Sequence, residues 1–174
     1  MIQLSPRLRD TVNPNTLYTT AAFTGHRHVH NPEETRFEVC KASFDLIKSG
    51  ITHFLVGGAV GFDCLAGEEI IKIREDEPMV ELTVVLPCSF GVFTKKWSVE
   101  EERRLRTLMS QANAVIVVQG IYSPDCYKQR NQFLVDNSRY CICYYDTDRF
   151  KSGAGQTVRM AEQKGIEVIN LFGK

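Results

Sequence analysis

The sequence predicts a doubly wound α/β domain: a mostly parallel sheet of about six strands with helices on both faces. Three observations carry that expectation. Short apolar runs alternate with segments of helical period along the whole chain. The runs are nearly continuous in aliphatic residues, as in strands covered on both faces. Two glycine clusters, at 57–61 and 153–155, each open into a helical segment, as in the strand–loop–helix units of such folds. A chain of 174 residues suits one domain with a single sizeable core.

In order, residues 1–17 show no period and carry Pro6 and Pro14, so they read as an arm ahead of a single domain at 18–174. Tyr18 to Phe23 reads as the first strand, ending in Thr24-Gly25-His26-Arg27. Asn31-Pro32-Glu33-Glu34 is a helix start, with an Asn cap, proline in the first turn and acids against the dipole. Phe37, Cys40, Phe44 and Ile47 form its expected buried stripe, and Gly50 ends it. Phe54 to Val56 is a strand broken by Gly57, Gly58 and Gly61, after which Phe62, Leu65, Ala66, Ile70 and Ile73 mark a helix face. Leu82 to Leu86 is a third strand running into Pro87, followed by a loop over 88–96 with exposed Phe90 and Phe93, and then Trp97. Ser98 caps the next helix, and Ala114 to Val118 reads as a central parallel strand. A helix from about Tyr127 to Asn137, a strand from Tyr140 to Tyr145, a helix from Gly153 and a strand from Ile166 to Leu171 complete the pattern.

Composition narrows the function classes. Lys plus Arg and Asp plus Glu number 21 each, so the net charge is zero, and non-specific duplex nucleic-acid binding is disfavoured. No apolar run approaches the roughly 20 residues a membrane helix needs. The N-terminus has no apolar signal core, so a cytoplasmic protein without membrane partners is expected. Six cysteines include no C-x-x-C pair, which fits free, buried thiols in a reducing compartment.

In doubly wound sheets ligands bind outside the carboxyl ends of the strands. The loops that carry Gly, Arg, Asn and His all fall at that end. A glycine loop opening a helix presents unpaired N–H groups and a positive helix end, which suits a phosphate. Two such loops suggest a nucleotide or another phosphorylated ligand, and the dinucleotide G-x-G-x-x-G and P-loop patterns are both absent. Arg27 and Arg130 suit bidentate phosphate recognition. Asn131 suits a base or ribose edge, and Asp63 a ribose hydroxyl or loop architecture. The candidate ligand-contacting set is Thr24, Gly25, His26, Arg27, Gly57, Gly58, Ala59, Gly61, Asp63, Pro87, Arg130, Asn131, Asp146, Gly153, Gly155, Gln156 and Thr157. His26, His28 and His30 form an H-x-H-x-H run without a carboxylate or Cys at ligand spacing, so no metal is expected. Trp97 and its neighbouring Phe residues read as a loop-packing cluster.

TGHR at 24–27, GGAVGFD at 57–63, RNQFLVDNS at 130–138 and GAGQTVRMAEQKG at 153–165, in that order, resemble the SLOG superfamily, and within it the YpsA-like branch. The resemblance covers residues 18 to 171. It implies a Rossmann-like fold and a pocket for nucleotides or nucleotide-derived ligands. The superfamily also includes the LOG-type phosphoribohydrolases and the single-stranded-DNA-binding DprA proteins. Gly57, Gly58 and Gly61 match the first LOG motif. In the second, GGxGTxxE, Ser152 replaces the first Gly, Gln156 the Thr and Arg159 the Glu. Cleavage of an N-glycosidic bond needs an anion near its cationic transition state, and Arg has the wrong sign; Asp146 or Glu162 would have to substitute. Three readings follow: a ligand-binding sensor or regulatory module, a nucleotide-processing enzyme of the same pocket, and a DprA-like single-strand binder. A homodimer or higher homo-oligomer is expected from related folds alone.

Overall fold

The computed structural model describes residues 18–174, so the arm expected at 1–17 lies outside the described residues. Six strands form one sheet: β1 Thr20–Gly25, β2 His53–Val56, β3 Glu81–Leu86, β4 Ala114–Val117, β5 Tyr140–Tyr144 and β6 Glu167–Asn170. Their order is β4-β3-β2-β1-β5-β6 and every pairing is parallel. Six α-helices connect them: α1 Pro32–Lys48, α2 Phe62–Asp76, α3 Phe90–Phe93, α4 Val99–Gln111, α5 Cys126–Asp136 and α6 Gly153–Lys164. A 3-10 turn at Thr147–Arg149 precedes α6. This is a Rossmann-like α/β fold. Among the described residues no helix is long and apolar enough to cross a membrane.

Both faces of the sheet are covered, which explains the aliphatic strands. Along β1, Ala21 and Phe23 face the large cluster under α1, α2 and α4, while Ala22 faces Leu134 of α5 on the other side. Along β5, Ile142 and Tyr144 join the large cluster, whereas Cys141, Cys143 and the following Tyr145 pack with Ala154, Val158 and Ala161 of α6. That two-residue alternation is the strand period at work. On the outer surface of the first face, Arg36 of α1 and Arg104 of α4 both donate to Glu68 of α2, each at 2.8 Å. Burial works against this carboxylate, but the two guanidiniums hold it below its usual range.

Several local expectations are corrected. The first strand starts and ends two residues later than expected, and Tyr18 is exposed. On α1 the buried residues are Thr35, Val39, Ser43 and Leu46, while Cys40, Phe44 and Ile47 are half-buried and Phe37 is exposed. One residue of offset turns a helix by roughly 100°, so the small side chains Thr35 and Ser43 face inward and the larger apolar ones flank them. Asn31 does not cap α1 through its side chain, which instead donates to Glu34 at 3.0 Å. The expected exposed loop over 88–96 contains α3, and Phe93 is buried against Trp97 at 4.9 Å and Tyr127 at 6.0 Å. The β4 strand is not central: it is an edge strand of exposed and half-buried residues. Cys40 is half-buried, while the other five cysteines are buried, and all six are free thiols. The Ser98 cap is present as a full capping box with Glu101.

Candidate functional site

From β1 the chain winds to β2, β3 and β4 on one side, then crosses to β5 and β6 on the other. The β1/β5 boundary is therefore the topological switch point, where helices diverge and leave a crevice. A cavity of about 380 Å³ lies there. The end of β1 and its loop contribute Thr24, Gly25, His26, Arg27 and His28 to its wall. Ala59 and Asp63 come from the β2–α2 junction, and Tyr127, Arg130 and Asn131 from the first turns of α5. The 3-10 turn supplies Arg149, and the start of α6 supplies Ser152, Gly153, Ala154 and Gln156.

At the centre sits a buried ion pair, Arg130 Nη1 to Asp63 Oδ2 at 3.7 Å. Burial pushes the Asp63 carboxyl up to about 6, against the pull of Arg130 and of backbone amides including that of Ala59. The Ala59 N–H donates to Asp63 at 3.4 Å. Arg130 is lowered by the same burial, with Asp63 opposing. It also donates to the Gly57 carbonyl at 2.6 Å and to Asn131 Oδ1 at 2.9 Å. Asp63 is thus the carboxylate that ties the β2–α2 loop to α5, the architectural role among those its position allowed.

The glycine loop turns its bare side inward. A Cβ on Gly57 would lie 1.6 Å from Arg130 Nη1, and one on Gly58 would press on Val84, Leu86 and Leu105. Gly61 has φ +90 and would place a Cβ 2.0 Å from the Arg27 carbonyl. These three glycines serve close packing and do not line the cavity; from this loop only Ala59 and, beyond it, Asp63 do.

At the other loop, Ser152 caps α6 by accepting from the Gly155 N–H at 3.0 Å, and its carbonyl accepts from Gln156 N–H at 2.9 Å. The amides of Gly153 and Ala154 have no acceptor among the described residues, and a Cβ on Gly153 would meet nothing within 4 Å. Arg27 and Arg149 form no ion pair among the described residues. Among the described residues, three arginines against one aspartate leave the wall net cationic. His26 accepts the Asp146 N–H on Nε2 at 2.9 Å. Burial, then the charge of Arg149, lowers its pKa, with Asp146 opposing.

Ten of the residues singled out from sequence meet at this cavity: Thr24, Gly25, His26, Arg27, Ala59, Asp63, Arg130, Asn131, Gly153 and Gln156. Seven do not. Besides Gly57, Gly58 and Gly61, Pro87 follows β3, two strands from the switch point, where its carbonyl accepts from Gln119 N–H. Asp146 caps the 3-10 turn through Asp148 N–H at 3.0 Å. Gly155 packs on Tyr145 and the Phe150 carbonyl, and Thr157 bonds back to the Gly153 carbonyl. Glu162 is exposed on α6, and Arg159 lies over the Phe150 ring at 4.1 Å while donating to the Phe150 carbonyl. Tyr127, Arg149, Ser152 and Ala154 line the cavity without having been singled out for it. Ser152 had a signal, since it precedes the second glycine loop, but nothing in the sequence brings Arg149 to this edge. His28 lies 4.9 Å from the His30 ring, and among the described residues no group of three His, Cys, Asp or Glu is placed to hold a metal.

Fold and crevice together define a Rossmann-like α/β domain with one polar, cationic cavity at its switch point. The model of the YspA SLOG family matches residues 23–171, and the chain belongs to that family. It is 25% identical over 127 residues to the UPF0398 protein YpsA of Bacillus subtilis, covering 70% of this chain and 69% of that protein. It is also 25% identical over 109 residues to a UPF0398 protein of Staphylococcus epidermidis, and 26% identical over 106 residues to one of Halalkalibacterium halodurans. Each of these two alignments takes in 60% of this chain, which spans 55% of the relative's length.

Proposed function

We propose that the domain binds a nucleotide or nucleotide-derived ligand by its phosphoryl group and acts as a sensor or regulatory module. The observation that supports this most is that Arg27 and Arg149, which form no ion pair among the described residues, share a cavity with the two open amides of α6. The anion site is therefore assigned to Ser152–Ala154 and not to the Gly57–Gly61 loop. Tyr127 offers an aromatic face for a base, and Asn131 and Gln156 offer amides. A hydrolase of N-glycosides is disfavoured because Asp63, the one carboxylate lining the cavity among the described residues, is already engaged by Arg130 and Ala59 N–H.

A thermal-shift screen against nucleoside monophosphates, diphosphates and dinucleotides tests this, with each hit assayed for released base or phosphate. At ~100 times its dissociation constant a ligand adds about 2.7 kcal/mol of stability, or roughly 5–10 °C for a chain of this size. A shift without turnover supports the sensor reading, and a shift with product release replaces it by the enzyme. No shift with any of them rejects it.

A further inference from the structure

Four polar side chains on the cavity wall have their orientation fixed by partners. The Asp146 backbone N–H donates to His26 Nε2 at 2.9 Å. A ring nitrogen that accepts cannot carry the proton, so the neutral ring carries it on Nδ1. His26 is only 6% exposed and is part of the cavity wall, and no hydrogen bond engages its Nδ1 among the described residues. A second chain of bonds starts at Arg130, whose Nε can only donate. Asn131 must meet it with Oδ1 at 2.9 Å and so turns Nδ2 to Gln156 at 3.3 Å. Gln156 answers with Oε1, which leaves its own NH₂ for the cavity. Ser152 Oγ accepts from Gly155 N–H and keeps its hydroxyl proton to give.

Every one of these fixed groups shows the cavity a donor. The guanidiniums of Arg27 and Arg149 and the amides of Gly153 and Ala154 add more donors, and the one lining carboxylate among the described residues, Asp63, is paired with Arg130. The hydroxyls of Thr24 and Tyr127 can turn to suit.

We infer that this wall selects a phosphoryl group stripped of its protons, such as a phosphate monoester dianion or a diphosphate linkage, with His26 as the neutral donor that determines the selection. The inference rests on the anion reading above and narrows it. An oxyanion that still carries an O–H must turn it to one of the rotatable hydroxyls, Thr24 or Tyr127, and away from the fixed donors, so it gives up a bond that a proton-free oxyanion keeps. Sulfate carries no proton at neutral pH, whereas inorganic phosphate carries at least one.

Isothermal titration of the full chain at pH 7 with inorganic sulfate, inorganic phosphate and adenosine monophosphate tests it, alongside the imidazole ¹⁵N–¹H spectrum. Sulfate is expected to bind about tenfold tighter than inorganic phosphate, and His26 to show its proton on Nδ1. Two variants separate the ring's two jobs. His26→Gln keeps an acceptor for the Asp146 amide but no donor at the Nδ1 position, so it should lose about tenfold in sulfate affinity while its melting temperature holds. His26→Asn keeps the donor and loses the acceptor, so affinity should persist while melting falls. Phosphate binding as tightly as sulfate, unchanged affinity in His26→Gln, or a proton on Nε2 would each overturn the inference while leaving the anion site standing. No binding of any of the three probes rejects the anion reading itself, and this inference with it.

Discussion

Replacing Gly57 by Ala adds one methyl group, and the structure makes that methyl unusually costly. The backbone there needs no left-handed conformation, so the cost is steric alone. The new Cβ would sit 1.6 Å from Arg130 Nη1 and 2.6 Å from Asp63 Oδ2, the two ends of the buried ion pair. Arg130 can retreat only by giving up its 2.6 Å bond to the Gly57 carbonyl and its place beside Asp63. Losing one partner of a buried pair costs about 3–5 kcal/mol, because the other charge is stranded. For a chain of this length that is a fall in melting temperature of roughly 6–20 °C. Urea denaturation should give the same figure from the midpoint shift. Gly91→Ala is the control, since a Cβ there meets nothing within 4 Å, and it should stay within about 1 kcal/mol of the parent. The double-mutant cycle is decisive. In an Arg130→Ala background most of the obstruction is gone, so Gly57→Ala should then cost at least about 2 kcal/mol less. Gly57→Ala melting within about 2 °C of the parent, or costing the same in both backgrounds, would refute this packing.

Other perturbations separate fold from site. Because burial raises the Asp63 carboxyl from 3.8 to about 6, the native state holds more protons than the unfolded chain in that window. Its contribution is full below pH 3.8 and falls by about 3 kcal/mol as pH rises through 6; Asp63→Asn should flatten that limb in chemical denaturation across pH. Ser98→Ala removes a capping box that satisfies Glu101 N–H and should cost about 1 kcal/mol without altering ligand affinity. Arg27→Ala and Arg149→Ala break no ion pair among the described residues, so each should leave stability within about 0.5 kcal/mol. Each should also weaken adenosine monophosphate binding by roughly tenfold in calorimetry, as expected of a lost charge-assisted bond.

Much of the architecture was legible because it depends on local period. The strand–glycine–helix junction at 57–62 and the capping box at Ser98 follow from residues within a few positions of each other. What stayed hidden depends on partners far along the chain. The strand run of Ala114–Val117 is as aliphatic as a central strand, and only the sheet order makes it an edge. The α1 stripe is displaced because Thr35 and Ser43 allow close packing that hydrophobicity alone does not rank first. At the site, Thr24, Arg27 and Gly153 were readable as loop residues at one sheet edge. That Gly57 yields its space to Arg130, 73 residues later, was not. Nor was Arg149, which reaches the cavity on a short 3-10 turn without a sequence signature.

The inward-facing glycines have a consequence for how such chains can diverge. Gly57, Gly58 and Gly61 are constrained by an ion pair, a core and a neighbouring carbonyl, so descendants that change their ligand, or lose it, must still keep them. Arg27 and Arg149 carry no such structural duty and can be exchanged at small cost to folding. On the proposed reading, selection can rewrite specificity at two arginines while the glycine signature persists unchanged, as a record of the scaffold and not of what the scaffold holds.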